Sequence, residues 1–147
     1  MNAVDHTKPR QKTEEMINKL LAERQEMLVR FCRVAGLDPY TPSEPSREML
    51  EEFCQVLVDY SAFGHFEIYS RILSGEERRK RVLEVASRIY PKIAEATEFA
   101  VAFNDKYDAL THTEPLDHLN DDLCKLGEEI AVRIDVEDQL VSALMAA

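Results

Sequence analysis

At 147 residues, 45% hydrophobic and with only 4 Gly and 6 Pro, the chain has the size and composition of one folded domain, which excludes disordered and fibrous classes. Its 28 acidic against 18 basic residues leave a formal charge of −10, which disfavours nucleic acid and anionic lipid and favours a basic partner. No apolar run approaches the roughly 20 residues of a membrane helix, and the opening MNAVDHTKPRQK is polar, without the apolar core of a signal peptide. Cys32, Cys54 and Cys124 are odd in number, far apart and set among apolar residues. That pattern predicts reduced core thiols in a cytoplasmic protein rather than a disulfide framework or a zinc site.

In chain order, residues 1–12 are expected to be a flexible N-terminal segment and 13–147 a single helical-bundle domain. The first helix is predicted from about Thr13 to Ala35, with Thr13 as cap, Glu14 and Glu15 at its positive end and Gly36 at its exit. GLDPYTPSEPS is a Pro-rich connection. A second helix runs from Ser43 or Ser46 to Leu73, and a third from about Gly75 to Tyr90. Pro91 either kinks that helix or opens a fourth that reaches about Ala109. The last helix is predicted from about Glu114 to Met145. No sustained alternation or Asn-Gly turn speaks for strands, so the expected fold is all-α, an antiparallel bundle of four to five long helices.

Charge is unevenly spread. Residues 105–138 hold eleven acids against three bases, a local balance of −8. The basic run RRKR, 78–81, follows Glu76 and Glu77 at a helix start and reads as a solvated face.

Several charges fall inside apolar stripes. Ile17, Leu20, Leu21, Met27, Leu28, Phe31 and Ala35 form one stripe on the first helix with Arg24 at its centre. On the last helix Arg133 and Glu137, neighbours at i and i+4, lie in the stripe of Leu123, Leu126, Ile130, Ile134, Leu140, Val141 and Leu144. Such charges should be paired or reach the edge of the stripe. They are either a polar network lining a cavity, or a structural ion pair that sets helix register, or long side chains that snorkel out between helices.

The second helix has two apolar sides. Leu50, Phe53, Cys54, Leu57, Ser61, Gly64, Ile68 and Ile72 form a core face, with Gly64 permitting close approach of another helix and His65 at the edge. The opposite side carries Val56, Asp59, Ala62, Phe63, Phe66 and Ser70, with Tyr69 at the margin. An aromatic surface around one acid suits a partner offering apolar groups and an Arg or Lys; alternatively the helix is central and buried on both sides. His65, His112 and His118 lack the paired Glu-x-x-His spacing of a di-iron bundle. No phosphate loop, nucleophile elbow or His-Glu-x-x-His occurs, so no metal, cofactor or enzymatic activity is expected.

LEEFCQVLVDYSAFGHFEIYSRIL, 50–73, closely resembles the second-helix signature of the regulator of sigma D family, Rsd and AlgQ. The match runs through Phe53, Cys54, Leu57, Val58, Asp59, Tyr60, Gly64, His65, Phe66, Ile68, Tyr69, Arg71, Ile72 and Leu73. LLAERQEMLVRF, with Arg24, resembles the family's first helix, and GEEIAVRIDVEDQLV, 127–141, its last. A tryptophan common near the start of the family's first helix is missing here, and residues 74–112 match weakly. The resemblance implies a cytoplasmic all-α anti-sigma factor, not an enzyme. Such a protein holds the C-terminal, −35-reading domain of the housekeeping sigma factor and lowers its use by RNA polymerase as cells leave growth. It implies partner-facing roles for Asp59, Ala62, Phe63, Phe66 and Tyr69. The charges in the stripes, Arg24, Arg133 and Glu137, are expected to form a buried polar network with His65. Some members also engage a phosphocarrier protein of the sugar phosphotransferase system. Two other classes stay open: an adaptor for a phosphocarrier or signalling enzyme, and a ligand-binding helical bundle.

Overall fold

The computed structural model describes residues 7–36, 47–108 and 118–146, without the side chains of 7–10, 73 and 76. Among these residues are four α-helices and no strand: α1 (Thr7–Ala35), α2 (Arg47–Ala62), α3 (Lys80–Asp108) and α4 (Leu119–Met145). Two π-helical segments, Phe63–Tyr69 and Ile72–Glu76, follow α2. The all-α bundle expected from periodicity is the fold.

The boundaries differ in informative ways. Helix α1 begins at Thr7, so residues 7–12 are helical and Thr13 lies inside the helix rather than capping it. Its exit is as expected: Gly36 takes φ 69°, and its N–H reaches the Arg33 carbonyl. The third helix starts at Lys80 rather than Gly75, because Gly75 sits at φ 101°, a left-handed geometry that ends the preceding turn. A carboxylate oxygen of Glu77 then accepts the backbone N–H groups of Arg78 and Arg79 as the chain enters α3. Pro91 starts no new helix and lies inside α3. It is exposed, so water can satisfy the carbonyl that its missing N–H leaves free. The predicted starts at Ser43, Ser46 and Glu114, and the end at Ala109, lie outside the described residues.

α3 packs along α4, α1 along α2 and α2 along α3, and a lighter contact between α1 and α4 closes the ring. The core is aliphatic, with an aromatic file of Phe31, Phe53, Phe103 and Tyr107 whose ring centres are 5.8, 6.0 and 4.7 Å apart. Gly127 makes room for it, since a Cβ there would stand 3.1 Å from the Phe31 ring. Of the three cysteines only Cys54 is a buried core thiol. Cys32 is half-buried, and Cys124 is exposed because it points off the stripe of Leu119, Leu123 and Leu126. No described helix is long and apolar enough to cross a membrane.

Candidate functional site

The apolar stripes of α1, α2 and α4 bring three of their charges together. Arg133 is 2% exposed and Glu137 0%. Arg133 Nε donates to Glu137 Oε2 at 3.1 Å, Nη1 to the Thr97 hydroxyl at 2.9 Å and Nη2 to the Ser61 carbonyl at 3.2 Å. The guanidinium also lies over the Tyr60 ring, 4.9 Å from its centre. Tyr60 donates its hydroxyl to the other Glu137 oxygen. Arg24 reaches that oxygen at 3.6 Å and hydrogen-bonds Asp138 at 2.9 Å. Desolvation alone would lower Arg24, but the bond and charge of Asp138, with Glu137 behind it, hold it above its ordinary value. Burial, reinforced by the Glu137 charge, pushes the Tyr60 hydroxyl far up, so it stays a donor.

His65 does not join this network. Among the described residues no hydrogen bond or ion pair links it to Arg24, Arg133 or Glu137. Its Nε2 lies 3.4 Å from the Tyr90 hydroxyl, and its ring meets Phe66 edge-on at 4.9 Å. Gly64 explains how the network fits: a Cβ there would come 2.7 Å from Arg133 Nη2. The close approach permitted by Gly64 is thus to a guanidinium from α4.

The second side of α2 is open. Asp59 is exposed, with Gln55 Nε2 donating to it at 3.1 Å. Phe66 is 66% exposed, more than any other large hydrophobic side chain among the described residues. Ala62 and Phe63 are half-buried. Phe63 leans towards α1, where the Lys19 ammonium sits 4.4 Å from its ring centre. Glu23, also on α1, has its carboxyl pushed up by burial and by the nearby Asp59 charge, against the pull of Lys19. The helix is therefore not buried on both sides.

Tyr69 is not at the margin of this surface. It is 0% exposed and lies on the network side, near Gly64, with burial and the Glu137 charge raising its hydroxyl. The reason is the π segment. Hydrogen bonds from i to i+5 wind the chain more slowly than those of an α-helix, so each residue after Ala62 lags behind its α-helical position. By Tyr69 the lag has carried the ring inward. At Phe66 it is smaller and turns that ring towards α3.

The site also has a wall that sequence pattern did not assign. Between α2 with its π segment and α3 lies an open cavity of about 590 Å³. Val58, Ala62, His65 and Phe66 form one side, and Tyr90, Ala94, Thr97, Glu98, Val101, Ala102 and Asp105 the other. The α3 positions recur at intervals of three and four, so they were legible as a helix stripe. Nothing in the sequence said that this stripe faced Phe66. Among the described residues no group of three His, Cys, Asp or Glu side chains is placed to hold a metal ion.

The family described as "Regulator of RNA polymerase sigma(70) subunit, Rsd/AlgQ" matches residues 1–145. A protein named "Regulator of sigma D" from Yersinia enterocolitica is 34% identical, covering 88% of this chain and 80% of its own length. One of the same name from Yersinia pseudotuberculosis is 34% identical over 88% of this chain and 79% of its own. A third, from Salmonella arizonae, is 31% identical over 92% and 85%. No solved structure matches the chain significantly. The chain belongs to the Rsd/AlgQ family.

Proposed function

We propose that this member of a family of sigma(70) regulators acts as an anti-sigma factor. It binds the C-terminal, −35-reading domain of the housekeeping sigma factor through Asp59, Ala62, Phe63 and Phe66, and so lowers use of that sigma factor by RNA polymerase. The observation that carries this reading is Phe66, a phenylalanine 66% exposed, seven residues along from the exposed carboxylate of Asp59. Large exposed apolar groups beside a charge are the composition of a binding hot spot. A protein carrying −10 favours a partner rich in Arg and Lys, as a DNA-reading domain is.

In this reading Phe66 is the apolar anchor. Asp59 accepts a charge-assisted bond from a sigma-factor base, which must displace or share the Gln55 amide. Ala62 is small enough to let the partner backbone approach. The test is calorimetric titration of the chain with a purified sigma C-terminal domain, comparing wild type, Asp59→Asn and Phe66→Ala. Loss of a hot-spot anchor costs about 2 kcal/mol, or about 30-fold in affinity. Because both side chains are exposed, the melting temperature should hardly move. Full-strength binding by two stably folded variants would reject this site.

A further inference from the structure

Away from the α2–α3 surface, a cavity of about 340 Å³ opens where the first turns of α1, the second π segment and the end of α4 meet. Its apolar lining is Ile72 and Leu144, both buried, with the half-buried thioether of Met16. Lys12 and Arg71 supply two cations and Thr13 a hydroxyl. The Arg71 guanidinium donates to the Met16 sulfur at 3.7 Å, a weak acceptor that a carboxylate outcompetes. Glu77 is the one acid in the lining among the described residues. Its carboxylate accepts the N–H groups of Arg78 and Arg79 and pairs with the Arg79 guanidinium at 3.1 Å. Desolvation would raise its carboxyl, but these bonds hold it below its usual value. Arg79 also donates from Nη1 to the Leu144 carbonyl at 3.0 Å, which ties the entry of α3 to the end of α4 beside the cavity.

The surroundings are positive in an otherwise acidic chain. Residues 71–81 hold five bases against two acids, a local balance of +3 where the whole chain carries −10. Arg78, Lys80 and Arg81 are exposed and form no ion pair among the described residues. They stand at the start of α3, which has no acid in its first turn, although the positive end of a helix disfavours bases. A nearby anion would offset that cost.

We infer that this cavity binds a small aliphatic carboxylate, of the class of medium-chain fatty acids. Its carboxylate lies between Arg71 and Lys12, with the Thr13 hydroxyl as a further donor, and its chain lies along Met16, Ile72 and Leu144. Three features select this ligand. Two cations, in a lining whose acid is already paired with Arg79, call for an anion, and a planar guanidinium matches the two oxygens of a carboxylate. No aromatic ring lines the cavity among the described residues, so a nucleotide base finds nothing to stack on, whereas aliphatic groups and an adaptable thioether suit an unbranched chain. The volume, about 340 Å³, lies near the lower end of the roughly 300–1,000 Å³ of ligand sites, which favours a medium chain over a long one. None of the lining residues belongs to the surface of Asp59 and Phe66, so the site stands or falls separately from the anti-sigma reading.

The probes are octanoate, octylamine and acetate, each titrated into the full chain and followed by calorimetry and by methyl NMR of Met16, Ile72 and Leu144. Octanoate should bind saturably and shift these methyls first. Octylamine has the same chain with the opposite charge, and acetate the same head without the chain; each should bind at least about tenfold more weakly. Lys12→Gln/Arg71→Gln should weaken octanoate binding at least about tenfold, whereas Arg78→Gln/Arg81→Gln, the same charge change outside the lining, should alter it less than about threefold. Circular dichroism melts report folding. Lys12→Glu, at an exposed position, keeps the test open if the Arg71 variant unfolds, and should weaken octanoate in the same way. Equal binding of octanoate and octylamine would overturn the inference, leaving only an apolar cleft. Equal weakening by the two double variants would overturn it too, leaving only long-range attraction. So would octanoate that never saturates, or that shifts the methyls of Val101 and Ala102 in the α2–α3 cavity instead.

Discussion

Replacing Arg133 by Met should destabilise the protein more than any surface change, and the amount follows from what is left behind. The guanidinium is 2% exposed and makes three hydrogen bonds, to Glu137, Thr97 and Ser61. Removing one partner of a buried pair costs about 3–5 kcal/mol, because the other charge stays buried without compensation. Here Glu137 keeps the Tyr60 hydroxyl and Arg24 at 3.6 Å, so the cost belongs at the low end, about 3 kcal/mol. For a chain of this size that corresponds to a melting temperature lower by about 6–12 °C. The assay is urea unfolding followed by circular dichroism: the midpoint should fall with little change in slope. The triple variant Arg133→Met/Glu137→Met/Tyr60→Phe removes the charges and the stranded hydroxyl together, and should be more stable than Arg133→Met alone. Apolar replacement of a whole buried pair is often neutral or better. If Arg133→Met unfolds at the parental midpoint, the network contributes nothing to stability. If the triple variant is the weaker of the two, the cost lies in packing and not in the unpaired Glu137.

Gly64→Ala should cost about 1–3 kcal/mol, because the new Cβ would stand 2.7 Å from Arg133 Nη2 and that guanidinium is pinned; the same substitution in the Arg133→Met background should cost clearly less, which a double-mutant cycle measures. Asp122 takes hydrogen bonds from Lys106 at 2.6 Å and from the Tyr107 hydroxyl, and although desolvation would raise its carboxyl, these bonds together hold it below its usual value. A depressed carboxylate contributes stability that is present above its unfolded value of about 3.9 and is lost as pH falls through its folded one. Asp122→Asn should therefore lower the melting temperature at pH 7 and converge with the parent in acid, and a gap that persists at pH 2 would contradict the linkage. Burial, with the charges of Asp108 and Glu51, pushes the Cys54 thiol up to about 12. At pH 8 a thiol reagent should label exposed Cys124 first and Cys54 only on unfolding; equal labelling rates would show that the core opens there.

The bundle was legible because its signals are local. Stripes at intervals of three and four residues identify the core of α1 and α4, and they also pick out Arg24, Arg133 and Glu137 as charges in apolar surroundings. Their pairing was half legible: Arg133 and Glu137 are one turn apart on one helix, so their contact is written in the spacing. Tyr60, Ser61 and Thr97 come from other helices, and no spacing within α4 announces them. Helix ends were less legible. Gly36 looked like an exit and is one, whereas Gly75 looked like an entry and is another exit, because a glycine's left-handed turn serves whichever side packing requires. Thr13 has the chemistry of a cap, but the chain upstream continues as helix, and a good cap residue is also tolerated in a helix interior.

The errors at the candidate site share one cause. A wheel drawn at a constant angle per residue placed Asp59, Phe63, Phe66 and Tyr69 on one surface, with His65 at the edge of the core. The π segment from Phe63 to Tyr69 slows the winding where the aromatic residues are densest, and one surface becomes three. Phe63 goes to α1 beneath Lys19, Phe66 and His65 go to the α3 groove, and Tyr69 goes to the core beside Gly64. No residue type signals a π turn as Pro signals a kink, because it is an accommodation to packing rather than a local preference. In this chain Arg133 leaves no room for a side chain at position 64 and donates to the Ser61 carbonyl just before the segment begins. A reading of the second helix alone therefore put Tyr69 at the margin of the outer surface, whereas it is 0% exposed.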